Sequence, residues 1–120
     1  MKLIQETTSA IKIISYLKTL APGEIANARE ISEKENLSLK FTLKILRKLC
    51  NHEIAQSYRG IKGGFCLIKE KISIYELGKI FQQDLKLTNN FESSTYSENI
   101  KEKLKETEKL MQTLLDTITI

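Results

Sequence analysis

The stretch from Asn27 to Asn51 constrains this chain more than any other. Its second half, Ser38 to Asn51, divides into two arcs when wound at about 100° per residue. Lys40, Lys44, Arg47 and Lys48 share roughly 100° of that circle. Leu39, Phe41, Leu43, Ile45, Leu46, Leu49 and Cys50 fill the rest. No acidic residue of this segment interrupts the basic arc. Ser38 is a good N-cap, since its hydroxyl can accept from an otherwise orphan backbone N–H. A helix of this kind needs a core behind it. Its front suits a polyanion, because Lys and Arg on phosphates release condensed counterions. A solvated surface helix has the same pattern, so the neighbouring segments decide between the two.

Upstream, Asn27-Ala28-Arg29-Glu30 has the form of a capping box, with Asn27 as cap and Glu30 reaching back to its N–H. It predicts a short helix from Ala28 to Glu35, with Ile25, Ala28 and Ile31 inward. Asn36-Leu37 is the turn, because Asn tolerates the left-handed conformation that a helix exit often requires. A capped short helix, a tight turn and a second helix with a cationic front make a helix-turn-helix. An α-hairpin in any small bundle is the plain alternative, and the basic arc favours DNA.

Downstream, Asn51-His52-Glu53 closes the helix. Ile54 to Tyr58 and Phe65 to Ile68 are short β-rich runs on either side of Arg59-Gly60-Ile61-Lys62-Gly63-Gly64. This predicts a hairpin with Arg59 and Lys62 at its tip. Gly63 and Gly64 would let it approach a nucleic-acid backbone closely. After a helix-turn-helix such a hairpin is a wing, fit to enter a minor groove or grip the phosphates beside it.

The remaining segments frame this unit. Ala10, Ile11, Ile13, Ile14, Leu17 and Leu20 predict a first helix from about Gln5 to Leu20, ended by Ala21-Pro22-Gly23. Ser73-Ile74-Tyr75-Glu76 opens another helix, through about Gln82, with Ile74, Leu77, Ile80 and Phe81 inward. Leu87 to Ser97 is polar and reads as a loop. From Glu98 to near Ile120 the residues Ile100, Leu104, Thr107, Met111, Leu114 and Ile118 form a heptad seam, and Leu110 and Leu115 widen it. The expected fold is mainly α with a small β-hairpin. A winged helix-turn-helix over residues 1–83 is followed by a loop over 84–97 and a dimerisation helix over 98–120.

Charge follows this division. The chain has 120 residues and a net charge of +4. Residues 1–69 hold twelve Lys/Arg against six Asp/Glu, a net +6, and residues 70–120 hold seven against nine, a net −2. A basic front suits double-stranded DNA. No apolar run reaches the ~20 residues of a membrane span, and Lys2, Glu6, Lys12 and Lys18 break any signal-peptide core. A cytoplasmic protein is expected. No paired carboxylates, nucleophile–base arrangement or P-loop appears, so an enzyme is not expected.

The chain resembles the Rrf2 (Rrf-two) family of bacterial winged-helix transcription regulators, which includes an iron–sulfur cluster regulator and a cysteine-metabolism repressor. The resemblance begins at Met1-Lys2-Leu3. It continues through Ile31-Ser32-Glu33, Leu37-Ser38-Leu39-Lys40-Phe41, Ile45-Leu46 and Leu49. It is strongest at Arg59-Gly60-Ile61-Lys62-Gly63-Gly64-Phe65, which is similar to the family's Arg-Gly-Pro-Lys-Gly-Gly-Tyr wing, and Ile72 to Phe81 follows the post-wing helix. Three departures stand out. Glu6-Thr7-Thr8-Ser9 replaces a frequent Lys-Gly-Arg-Tyr, and Leu43 stands where Glu is frequent. Leu85 to Lys109 contains neither cysteine nor histidine, so no iron–sulfur cluster of the family type is expected there.

These readings imply a homodimeric, sequence-specific regulator, expected to be a repressor on a palindromic operator. The alternative is a winged-helix protein-interaction module without operator binding. The expected DNA contacts are Ser38, Lys40, Phe41, Lys44, Lys48, Arg59, Lys62, Gly63 and Gly64. Lys40 and Lys44 would face the major groove, and Lys48 would touch only phosphate. Cys50 and Cys66 read first as small apolar residues and second as a thiol switch. An effector, if there is one, is expected to be a small molecule between head and dimer helix, or a partner protein.

Overall fold

Helix boundaries fall at the chain's own end signals. The computed structural model describes residues 4–82 and 98–120. In it α1 is Gln5–Lys18, α2 Ala28–Lys34, α3 Leu39–Asn51, β1 Ala55–Tyr58, β2 Gly64–Leu67, α4 Ile74–Phe81 and α5 Glu98–Thr117. The expected polar loop, Leu87 to Ser97, lies outside the described residues, as do the side chains of Ile100 and Leu104. The fold is mainly α with one antiparallel hairpin, as the sequence predicts.

Three side-chain caps set the helix starts. Asn27 Oδ1 accepts the Glu30 N–H at 2.7 Å, Ser38 Oγ accepts that of Phe41 at 3.1 Å, and Ser73 Oγ accepts that of Glu76 at 3.0 Å. The Glu30 carboxylate, expected to reach back to Asn27, accepts the Tyr16 hydroxyl at 2.7 Å. That contact, ahead of desolvation, raises the Tyr16 pKa.

The helix ends share one device. After α2, Asn36 takes φ 54°, and the Leu37 N–H reaches the Ser32 carbonyl at 2.9 Å. After α3, Glu53 takes φ 59°, and the Ile54 N–H reaches the Leu49 carbonyl at 2.9 Å. Each is a Schellman-type end, in which a left-handed residue turns the chain and satisfies orphan carbonyls. Between α1 and α2, Pro22 and Gly23 (φ 85°) occupy the middle of a turn closed by the Glu24 N–H on the Ala21 carbonyl at 2.9 Å.

These ends fix how the helices pack. Ala10, Ile13, Ile14 and Leu17 of α1 meet Ile31, Ile45, Leu46 and Leu49 in one core, closed by Ile54, Ile72, Leu77 and Phe81. The hairpin pairs Ala55 with Leu67 through Tyr58 with Gly64. It gains a third partner where Ala26 and Phe65 exchange both backbone hydrogen bonds, at 3.0 and 2.8 Å. The wing is therefore tied to the chain just before the Asn27 cap.

The C-terminal end corrects one expectation. Helix α5 stops at Thr117, so Ile118 is not a helical seam position. Residues 118–120 run extended along Ile72 and Ser73. The Ile74 N–H donates to the Ile118 carbonyl at 2.9 Å, and the Ile120 N–H donates to the Ile72 carbonyl at 3.0 Å. Asp116 accepts the Ser73 hydroxyl at 3.0 Å. A β-branched run, Thr117 to Ile120, suits an extended tail, which also satisfies a free N–H at the start of α4.

Thr7 and Thr42 are fully buried, and the hydroxyl of each has no hydrogen-bond partner among the described residues. A valine of the same shape removes that desolvation cost. Thr42→Val should leave stability unchanged or raise it by up to ~1 kcal/mol, read as an unchanged or higher melting temperature. A marked fall would mean that the hydroxyl is hydrogen-bonded in the folded protein.

Candidate nucleic-acid interface

The front of α3 follows from what its back buries. Thr42, Ile45, Leu46 and Leu49 are buried, which turns Lys40, Lys44 and Arg47 to solvent. Lys48 sits at the edge, half-exposed. The hairpin tip exposes Arg59, Ile61 and Lys62, with Ile61 wholly free of protein contact at 106% relative exposure. The Gly63 N–H closes the tip on the Gly60 carbonyl at 2.9 Å, with Gly60 at φ 111°.

Several expected contact residues have internal duties. The Ser38 hydroxyl caps α3. Phe41 is half-buried against the core. Gly63 and Gly64 serve close approach within the protein. A Cβ on Gly63 would lie 2.2 Å from the Tyr58 carbonyl oxygen, and one on Gly64 would lie 2.6 Å from that of Ala26. Of the nine, Lys40, Lys44, Arg59 and Lys62 stand exposed with charged ends.

The structure adds a residue that α3 alone could not announce. Glu6 of α1 places Oε1 2.8 Å from Lys44 Nζ and Oε2 3.8 Å from Lys48 Nζ. The hydrogen bond from Lys44, partly opposed by desolvation, lowers the Glu6 pKa below the usual carboxylate range. Lys48 Nζ also lies 5.3 Å from the centre of the Phe81 ring. The arc is free of acid along α3 but not in space. The only signal in the sequence was Glu6 itself, in the predicted first helix.

Cys50, on α3, and Cys66, in β2, are free and half-buried. Burial pushes the Cys50 thiol up, and Cys66 adds to that rise. Since the thiolate is the reactive form, Cys50 should be alkylated by iodoacetamide at pH 8 more slowly than a free cysteine peptide, and at the ordinary rate once denatured. A native rate matching the peptide would place a reactive thiol on α3. An open cavity of about 950 Å³ lies between the α1–α2 turn and the wing, lined by Leu17, Leu20, Ile25, Tyr58, Cys66 and Ile68. It is not the head-to-α5 cleft expected for an effector.

A buried helical core, a helix-turn-helix with a cationic front and a tied hairpin define a winged helix-turn-helix protein. The chain belongs to the Rrf2 family, described as an iron-dependent transcriptional regulator, whose model matches residues 3–120. The HTH-type transcriptional regulator NsrR of Bacillus subtilis is 26% identical over 96 residues, 78% of this chain and 66% of that relative, just under two-thirds of its length. Two solved structures share the fold. CymR, the global cysteine regulator of B. subtilis, has a TM-score of 0.84 at 17% identity, covering 99% of this chain and 92% of that one. T. potens IscR has a TM-score of 0.76 at 20% identity, covering 99% and 82%.

The family description names iron, and the donor set tests it. No three His, Cys, Asp or Glu side chains converge among the described residues. The 120 residues contain two cysteines and one histidine, fewer soft donors than the four thiolate or imidazole ligands of an iron–sulfur cluster. Within one chain these residues are too few to complete such a cluster. Among the described residues, no helix is long and apolar enough to cross a membrane.

Proposed function

We propose that the chain is a homodimeric, sequence-specific DNA-binding regulator, acting as a repressor on an imperfect palindrome. One observation carries the reading. Exposed Lys40, Lys44 and Arg47 stand opposite the buried face of α3, and the next element is a hairpin whose tip exposes Arg59 and Lys62. A helix with a cationic front enters a major groove while a wing reaches the adjacent minor groove. Lys40, beside the N-terminus of α3, is the base-reading candidate, because helix-turn-helix proteins present that end to the bases. Arg59 is always charged and suits a narrow, strongly negative minor groove. The NsrR relative and the family description support a regulator. The donor set supports a signal other than an iron–sulfur cluster.

The test is selection of bound duplexes from random sequence, followed by titration of the selected site against salt. The parent should select a palindrome. Lys40→Ala should change the selected bases, at about 1–3 kcal/mol for each lost base contact. Arg59→Ala should bind the same site more weakly, with a salt slope shallower by about 0.9. Failure of the parent to enrich any sequence would remove the reading. Apolar exposure on the wing, at Tyr58, Ile61 and Ile68, favours a second reading, a protein-interaction module. That reading predicts no salt-dependent shift of any duplex.

A further inference from the structure

The Glu6 carboxylate stands where a phosphate oxygen would stand on Lys44. Its Oε1 is 2.8 Å from Nζ, and its second oxygen lies 3.8 Å from Lys48 Nζ, an anion shared between two neighbours of the cationic row. The helix that carries it is anchored on both sides of Glu6. Thr7 is fully buried, and the Ile4 N–H donates to Gln82 Oε1 at 2.9 Å. Lys48 is further held over the Phe81 ring. Lys40 and Arg47 have no salt bridge among the described residues.

We propose that Glu6 is a built-in occupant of Lys44 and Lys48 that lowers the affinity of α3 for phosphate polyanions and leaves Lys40 and Arg47 as its open cations. Nucleic acid is the polyanion in question if the proposed function holds. A cation already paired within the protein has no condensed counterion of the DNA to displace, so it adds nothing to the salt slope. A free one adds about 0.9 per phosphate neutralised. Glu6 therefore sets how strongly the head holds any sequence, apart from the bases it reads.

The probes are a mixed-sequence 30-base-pair duplex and a phosphocellulose column, with the full chain. Glu6→Gln keeps the shape and removes the charge. It should bind the duplex about two- to fivefold tighter at low salt, as release of one surface ion pair allows, with a slope steeper by about 0.9 or more. It should also leave phosphocellulose at higher salt. Glu106→Gln, an exposed site on α5 with the same change in net charge, should behave as the parent. Lys44→Ala added to Glu6→Gln should cancel the gain. Equal shifts from Glu6→Gln and Glu106→Gln, or no shift from either, overturn the proposal. If Glu6→Gln fails to fold, Lys44→Ala in the parent decides it. An unchanged slope supports occupation of Lys44 by Glu6, and a slope reduced by about 0.9 overturns it. A parent that binds no duplex, with a Glu6→Gln shift on phosphocellulose, would sink the DNA reading while sustaining this one.

Discussion

Gly64→Ala will loosen the tie between the wing and the chain just before the Asn27 cap. The added Cβ would lie 2.6 Å from the Ala26 carbonyl oxygen and 2.7 Å from its carbon. Both are backbone atoms, so no side-chain rotation relieves the clash. Room comes only from parting Ala26 from Phe65, whose hydrogen bonds of 3.0 and 2.8 Å tie a third segment to the hairpin. Overpacking and two weakened backbone bonds together should cost about 2–4 kcal/mol, or on the order of 10–25 °C in melting temperature for a head of this size. The wing would swing from the Asn27 cap, and duplex affinity should fall with stability. Gly23→Ala is the internal control. Its Cβ meets nothing within 4 Å, and only the φ of 85° opposes it, at about 1–2 kcal/mol. A Gly64→Ala loss no larger than that of Gly23→Ala would show that the contact with Ala26 does not constrain Gly64.

That contact also marks where sequence reasoning stops. Local chemistry was legible. Asn27, Ser38 and Ser73 cap the helices that the pattern assigns to them, and Asn36 takes the left-handed turn. The buried arc of α3 follows its spacing, because a hydroxyl near a free N–H or an apolar residue every three to four positions acts within a turn or two of chain. Glu53 was not legible as a left-handed residue, since nothing in a glutamate favours φ 59° and the Schellman end imposes it. Nor were the contacts that cross long stretches of chain. The Ala26–Phe65 bridge, the tail on Ile72 and Ser73 and the reach of Glu6 to Lys44 join residues 38 or more apart. At the candidate site the same divide appears. The exposure of Lys40 and Arg59 could be read from periodicity and turn position. The internal use of Gly63, Gly64 and Phe41 could not, because it depends on which backbone passes beside them.

In the proposed homodimer, Leu110→Asp with Leu114→Asp should separate the two chains into monomers. Both leucines are 64% exposed in the single chain. They lie four residues apart on α5 and so share one face. Met111 and Leu115, beside them, are half-buried. Twenty residues of α5 span about 30 Å, and over residues 105–117 most side chains are exposed. A second copy of the same helix would cover this stripe about a two-fold axis and set two α3 helices against successive major grooves, roughly 34 Å or a multiple of it apart. A carboxylate in such a seam is desolvated without a partner. Sedimentation should then report the monomer. Affinity for the selected palindrome should fall by on the order of 100-fold or more, the advantage of joining two half-sites, while the isolated heads keep their fold by circular dichroism. Lys105→Asp, roughly 140–180° away around the same helix, should leave the assembly intact. A parent that sediments as a monomer, or a Lys105→Asp variant that dissociates as readily, would mean that this stripe does not pair the two chains.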